Sequence, residues 1–303
     1  MRRAATLLGL CVLLAISLLV GCGEEKKSYQ PQFSTNLPTG AARQLIFGVH
    51  PLHNPQRLLE LYGPIMDYLN ANIHGVQFQL EASRNYEEFD KKLYTAHFDF
   101  AMPNPYQTIN AMDHGYHVFG KMGDDDNFRG IILVRRDSGI KAVRDLKGKK
   151  VSYPAKTALA ATMMPQYFLQ IHGLDVNHDI ENLYVGSQES SIMNVYMGNV
   201  AAAATWRIPW LTFQKEQPEK ASQLELKWQT EPLINNSLMA RGNMPPELVQ
   251  QVAYLLAHMH ENPQGRALLE RLPISRFELS TDGQYDVVRR FVAAYDKVVH
   301  LAE

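Results

Sequence analysis

The chain has 303 residues, with 30 Lys and Arg against 31 Asp and Glu, a formal net charge of −1 and two cysteines. That length can bury a sizeable core, as one large domain or as two lobes. The balanced charge excludes a nucleic-acid footprint and a polybasic membrane patch, and the two cysteines, Cys11 and Cys22, leave no disulfide framework, thiolate metal site or thiol nucleophile for the rest of the chain.

Arg2 and Arg3 precede an apolar run from Leu7 to Val20, which is followed by Gly21, Cys22 and the polar stretch Gly23-Glu24-Glu25-Lys26-Lys27. A positive start and a short apolar middle read as an export signal, residues 1–21. The ending resembles a bacterial lipobox, which implies cleavage before Cys22 and a lipid on that cysteine. The body would then work outside the cytoplasm, tied to a membrane surface. The rival reading is an uncleaved anchor, for which the run is short, since a span takes about 20 apolar residues. Residues 22–43 carry Pro31, Pro38 and Gly40 without apolar periodicity and read as a flexible tether.

The body alternates strand and helix patterns. Leu45 to Val49 is a short buried-strand run. Pro55 opens a helix with apolar positions Leu58, Leu59, Tyr62, Ile65, Met66 and Leu69. Val76 to Leu80 alternates as a strand; Phe89 and Leu93 mark a helix; Phe98 to Met102 is a strand, and a helix follows Pro105. Ile131 to Val134 and Lys149 to Tyr153 are the next strands. A helix then presents Met163, Met164, Tyr167, Phe168 and Ile171 and ends at Gly173. Leu183 to Val185, Val200 to Ala204 and Ser237 to Ala240 read as short strands. A helix opened by Pro246 and a last one carrying Val288, Phe291, Val292, Tyr295 and Val298 close the chain. Repeated strand–helix–strand order predicts an α/β protein with largely parallel sheets.

One turn has the makings of an anion site. The strand ending at Tyr153 is expected to run into a helix starting near Lys156-Thr157-Ala158-Leu159-Ala160. Free N–H groups and the helix dipole at such a start favour an anion. Thr157 can add a hydroxyl donor and Lys156 a full charge; a capping Thr and a solvated Lys explain the same residues. His50 follows the end of the first strand and could face a ligand, although a lone His is more often a surface or capped residue. Trp206-Arg207 follow another strand, where Arg207 could grip an oxyanion bidentately or form a surface ion pair.

An ordered set of segments resembles the phosphonate-type solute-binding proteins of ABC transporters. It comprises Phe47-Gly48-Val49 with Pro51, Tyr62 to Leu69, Asp99-Phe100-Ala101 with Pro103, Pro105 and Tyr106, and Asp137 to Ile140 with Asp145-Leu146-Lys147-Gly148-Lys149. Gly173-Leu174-Asp175, Gly186-Ser187 and Met244 to Leu248 continue in register, so the resemblance covers about residues 45–295. It implies a two-lobed type 2 periplasmic-binding fold, each lobe a mostly parallel sheet flanked by helices, with the ligand in the cleft and hinge-bending closure. Lobe one would be residues 44–130 and 240–303, lobe two residues 131–239, with crossings near Ile131–Val134 and Asn236–Ala240. It also implies that the turn at Lys156, Thr157 and Ala158 holds the ligand's oxygens and that Tyr106 is a cleft tyrosine. Relatives have a serine- and threonine-rich turn where this chain has Ala158 and Ala160. Gln188 stands where they often have histidine, and Ala201 where many have aspartate. The missing carboxylate argues against a zwitterionic aminophosphonate and for a compact anion: phosphate, phosphite or a simple phosphonate.

Other chemistries find little purchase. His258 and His260 point to different faces of a helix, and His114 with His117 lacks a third ligand. Asp124-Asp125-Asp126 lacks the pattern of a calcium loop, and neither a P-loop nor a G-x-S-x-G elbow occurs. The expectation is therefore a monomeric binding protein without enzymatic activity, metal or cofactor. It would deliver a small oxyanion to an ABC permease; the alternative partner is a membrane sensor kinase.

Overall fold

A computed structural model describes residues 42–299. The signal segment, Cys22 and nearly all of the tether lie outside the described residues. The chain begins with β1 (Arg43–Val49), α1 (Pro55–Asn72), β2 (Val76–Ala82), α2 (Tyr86–Tyr94), β3 (Phe100–Met102), α3 (Pro105–Met112) and β4 (Tyr116–Met122). It then passes to β5 (Gly130–Arg135), β6 (Lys149–Tyr153), a π-helical turn Leu159–Met163 running into α4 (Met164–Ile171), β7 (Ile180–Tyr184), α5 (Gln188–Tyr196) and β8 (Ala202–Trp206). Next come α6 (Arg207–Glu216), α7 (Pro218–Ala221) and β9 (Leu224–Gln229). The chain returns as β10 (Ser237–Arg241), α8 (Pro246–Ala257), α9 (Pro263–Arg271), β11 (Phe277–Leu279) and α10 (Asp286–Val298). Among the described residues no helix is long and apolar enough to cross a membrane.

The strands form two sheets, a six-stranded one ordered β11-β4-β10-β3-β1-β2 and a five-stranded one ordered β7-β6-β8-β5-β9. Each is mixed. The β-α-β portions, β2-β1-β3 and β7-β6-β8, are parallel, as the alternating sequence pattern requires. The strands next to the inter-sheet passages run antiparallel: β10 against β3 and β4, and β5 against β8 and β9. Both passages, 123–129 and 230–236, precede the strands expected to carry them. Ser237 to Met239 therefore pair within the first sheet, opposite Lys121, Gly120 and Val118. β4, β9 and β11 were not evident from the sequence; the apolar pattern of β4 is broken by Gly120 and Lys121, although both are paired in the ladder, and β11 is three residues long, so ladder partners rather than pattern define them.

Local chemistry explains the helices that frame the cleft. The Asn54 side chain accepts from the Arg57 N–H at 3.0 Å and Pro55 occupies the first turn, so α1 begins where pattern and cap agree. Pro64 inside α1 has no N–H to give the Glu60 carbonyl; the Arg271 guanidinium donates to that oxygen instead, at 2.9 Å, and ties α9 to α1. Asn104 caps α3 through a reciprocal box with Gln107. Phe47, Phe78 and Phe100 pack together across three strands of the first sheet, and Ile131, Leu133, Ile192, Val195 and Trp210 form a separate cluster under the second.

The two passages lie side by side and are bonded to each other. Thr230 N–H donates to the Gly130 carbonyl (2.9 Å), Gly130 N–H to Thr230 Oγ1 (3.0 Å) and Leu233 N–H to the Phe128 carbonyl (3.0 Å). Asn235 Nδ2 donates to the Gly123 carbonyl at 2.8 Å.

Candidate ligand-binding site

A small pocket lies between the sheets at the C-terminal ends of their parallel strands, the position where open α/β sheets bind ligands. From the first lobe and the passages it is lined by His50, Tyr86, Asn104, Phe128 and Asn236; from the second by Ala158 to Ala161, Gln188 and Trp206. His50 follows β1, Tyr86 opens α2 and Asn104 caps α3. Gln188 opens α5, and Trp206 ends β8 directly opposite Gly130. The cavity itself is about 10 Å³, room for roughly one water, so a ligand of several heavy atoms enters only when the lobes part.

The polar groups are neutral and aimed. The helix after β6 starts with a wide π turn, and the N–H groups of Leu159, Ala160 and Ala161 precede its first internal bonds and meet no acceptor among the described residues. Tyr86 Oη accepts from Gln188 Nε2 at 3.3 Å, leaving its own proton to donate; burial raises its pKa, so that proton stays on. Gln188 is held in turn by Thr205 Oγ1, which donates to its Oε1 at 2.7 Å. The Trp206 indole N–H donates to no described residue and its ring packs on Phe128. His50 Nδ1 lies 3.0 Å from the Met102 carbonyl, which can only accept, so Nδ1 carries the proton and Nε2 is bare. Burial, the largest influence, lowers the His50 pKa to about 4, and the ring is neutral at physiological pH. Asn236 is fully buried; its Nδ2 meets only the Met122 sulfur, and its Oδ1 has no partner.

Side-chain bonds hold the lobes shut around this pocket. Asn104 Nδ2 donates to the Thr157 carbonyl at 2.9 Å, Thr157 Oγ1 donates to Asp90 Oδ2 at 3.2 Å, and His53 Nδ1 meets Glu189 Oε1 at 2.8 Å. Arg57 pairs with Glu216 further out. Asp90 also accepts from Gln107 Nε2, yet burial dominates and raises its pKa to about 6.

Of the residues expected from sequence, His50, Ala158 and Gln188 line the pocket. Lys156 and Thr157 sit one step outside it, in a surface depression shared with Asp90 and Tyr184. The extended backbone at Ala158 (φ −80°, ψ 95°) separates them from the π turn. Lys156 Nζ rests 5.8 Å from the centre of the Tyr184 ring, a cation–π contact. Tyr106, two residues past the cap Asn104, packs half-buried against the core instead of lining the pocket. Arg207 opens α6 and makes no ion pair with a described residue. Tyr86, Asn104, Trp206 and Asn236 were not singled out as ligands from the sequence. The readable signal was position, since Tyr86 and Asn104 each follow a strand end at a helix start.

Two sheets, a double passage and a cleft at the strand ends define a two-lobed periplasmic-binding fold of type 2. Comparison with solved structures agrees. A binding protein component of an ABC phosphonate transporter from Pseudomonas aeruginosa superposes with a TM-score of 0.78 at 18% identity, covering 85% of this chain and 88% of that one. PhnD1 from Prochlorococcus marinus MIT 9301, solved with methylphosphonate, gives 0.77 at 18% identity, covering 84% and 99%. The family model described as "ABC transporter, phosphonate, periplasmic substrate-binding protein" matches residues 47–285, and the chain belongs to that family. A curated relative, the probable ABC transporter phosphite binding protein PhnD1 of Prochlorococcus marinus, is 26% identical over 146 residues, 46% of this chain. The match spans about half that relative's length, 48%. The family consists of binding components of transporters and not of enzymes.

Proposed function

We propose that the protein is a lipid-anchored extracytoplasmic receptor that captures a small phosphorus oxyanion, a simple phosphonate, phosphite or phosphate, and hands it to an ABC permease. The observation that carries this reading is the π turn Leu159–Ala161: three unpaired N–H groups border a small pocket beneath a facing lobe. Backbone donors of this kind hold an oxyanion without a countercharge. In this reading His50, Ala158 and Gln188 belong to the pocket, while Lys156, Thr157 and Arg207 act from its rim and Tyr106 supports its floor. Ligand capture favours the closed arrangement because only that arrangement touches the ligand from both sides. The transporter family favours a permease over a sensor kinase as the docking partner.

The test is calorimetric titration of the purified protein with methylphosphonate, phosphite and phosphate. Saturable binding to at least one, with a raised melting temperature, is expected; binding to none overturns the reading. The anchor is tested separately. Fatty-acid labelling in the native host should disappear in Cys22→Ser, and labelling that persists would refute a lipid on that cysteine.

A further inference from the structure

We infer that α10 is a strap across the two sheets and that Tyr295 is a positioning residue for the cleft: its hydroxyl, outside the pocket, ties the strap to the helix that carries the binding turn, so that closing the cleft makes this bond and opening the cleft breaks it. This is a property of closure, beyond the capture of an oxyanion.

One flank of α10 belongs with the first sheet. The helix follows β11, an edge strand of that sheet. Arg289 donates to the Ile109 carbonyl of α3 at 3.3 Å, and Tyr285, just before the helix, donates to the Asn235 carbonyl at 2.7 Å. The other flank meets α4, beside the second sheet. The Phe291 ring stands edge-on to Tyr167 with centres 5.5 Å apart. Tyr295, fully buried, donates to Gln166 Oε1 at 2.7 Å.

The acceptor is oriented from behind. The Val176 carbonyl can only accept, so it takes Asn182 Nδ2 at 2.6 Å and turns Asn182 Oδ1 the other way. Gln166 Nε2 donates to that oxygen at 3.3 Å and to the Tyr184 hydroxyl at 3.2 Å. Two residues of β7 thus hold the Gln166 amide with its Oε1 toward α10, where only a donor fits. Burial raises the Tyr295 pKa, so the hydroxyl keeps its proton.

Gln166 lies in the first turn of α4, which continues the π turn Leu159–Met163 without a break. The bond therefore steadies the segment whose N–H groups border the pocket. With α10 bonded to α3 and Gln166 to β7, the lobes cannot part without separating Tyr295 from Gln166 or peeling α10 off its own sheet. Either way the closed arrangement holds a bond that the open one lacks, and apparent affinity rises with the closed fraction.

Tyr295→Phe removes only the hydroxyl. Calorimetric titration of the full protein with methylphosphonate at pH 7 should show affinity about tenfold below wild type, with the loss in the dissociation rate. Gln166→Leu should lose as much, and the double variant no more than either single one, because all three lack the same bond. Small-angle X-ray scattering of the ligand-free protein should give Tyr295→Phe a larger radius of gyration than wild type. A lower melting temperature with unchanged affinity, the mark of a purely structural tyrosine, overturns the inference and leaves the receptor reading standing; so do losses that multiply in the double variant. Should Gln166→Leu fail to fold, the affinity and radius of Tyr295→Phe decide. Should wild type bind neither methylphosphonate, phosphite nor phosphate, the receptor reading falls and the radius alone decides: a larger one in Tyr295→Phe supports the strap, and an equal one overturns it too.

Discussion

Gly130 is the position where hinge and site meet, and replacing it by alanine tests the arrangement. It opens β5, bonds Thr230 across the passages and lies under the binding turn. A Cβ there would stand 2.5 Å from the Ala160 carbonyl oxygen and 2.7 Å from Pro165 Cδ. Neither is the free end of a flexible side chain, so the turn itself must shift. Overpacking of this kind costs ~1–3 kcal/mol, and at ~2–4 °C per kcal/mol for a chain of this size the melting temperature should fall by several degrees. The shift also misaligns the N–H groups of Leu159–Ala161. Losing one bond to a charged oxygen, about 1.5–3 kcal/mol, lowers affinity by roughly 10- to 150-fold. Scanning calorimetry gives the first number and titration with methylphosphonate the second. A variant with unchanged melting temperature and affinity would refute the packing of the turn on β5.

Three further outcomes follow from the same geometry. Asp90 has its folded-state pKa raised from 3.8 to about 6 by burial, so its ionisation opposes folding: the cost is absent below about pH 4, grows as pH rises toward 6 and is complete above. Asp90→Asn should accordingly melt higher than wild type at pH 8 and equally at pH 4; a stabilisation that shrinks with rising pH contradicts the burial. Tyr285→Phe strands the Asn235 carbonyl, which accepts from the Tyr285 hydroxyl at 2.7 Å, and should cost ~1–3 kcal/mol in urea unfolding; no change would place that carbonyl in water. Lys156→Ala, outside the pocket, should change methylphosphonate affinity by less than about fivefold, the reach of a screened surface charge; a larger loss would bring Lys156 into contact with the ligand.

The sequence made α1 legible because Pro55 and the apolar stripe Leu58, Leu59, Tyr62, Ile65, Met66 and Leu69 point the same way, and the Asn54 cap agrees with them. It made β1, β3 and β5 legible because buried strands read as short apolar runs. β4 and β11 were not, since their identity lies in who pairs with whom. The site divides likewise. Lys156 and Thr157 draw attention because charge and hydroxyl are the side-chain signs of anion binding. The groups at the pocket are backbone N–H donors of Leu159, Ala160 and Ala161, which carry no side-chain sign, on a turn whose π geometry no residue pattern announces. Asn236 is conspicuous only through the missing partner of its Oδ1, a property of the folded molecule alone.

The interleaved strand order has a consequence for biosynthesis. β10 lies between β3 and β4 in the first sheet, yet 114 residues of chain, 123–236, are translated after β4 and before it. The ribosome therefore releases the entire five-stranded sheet while the six-stranded one still has a gap at its centre. Domains fold as units during synthesis, so the inserted half can mature first. Half-made chains would expose the β3 and β4 edges until the last 67 residues, 237–303, arrive, and that interval is when a nascent copy is most open to chaperone capture.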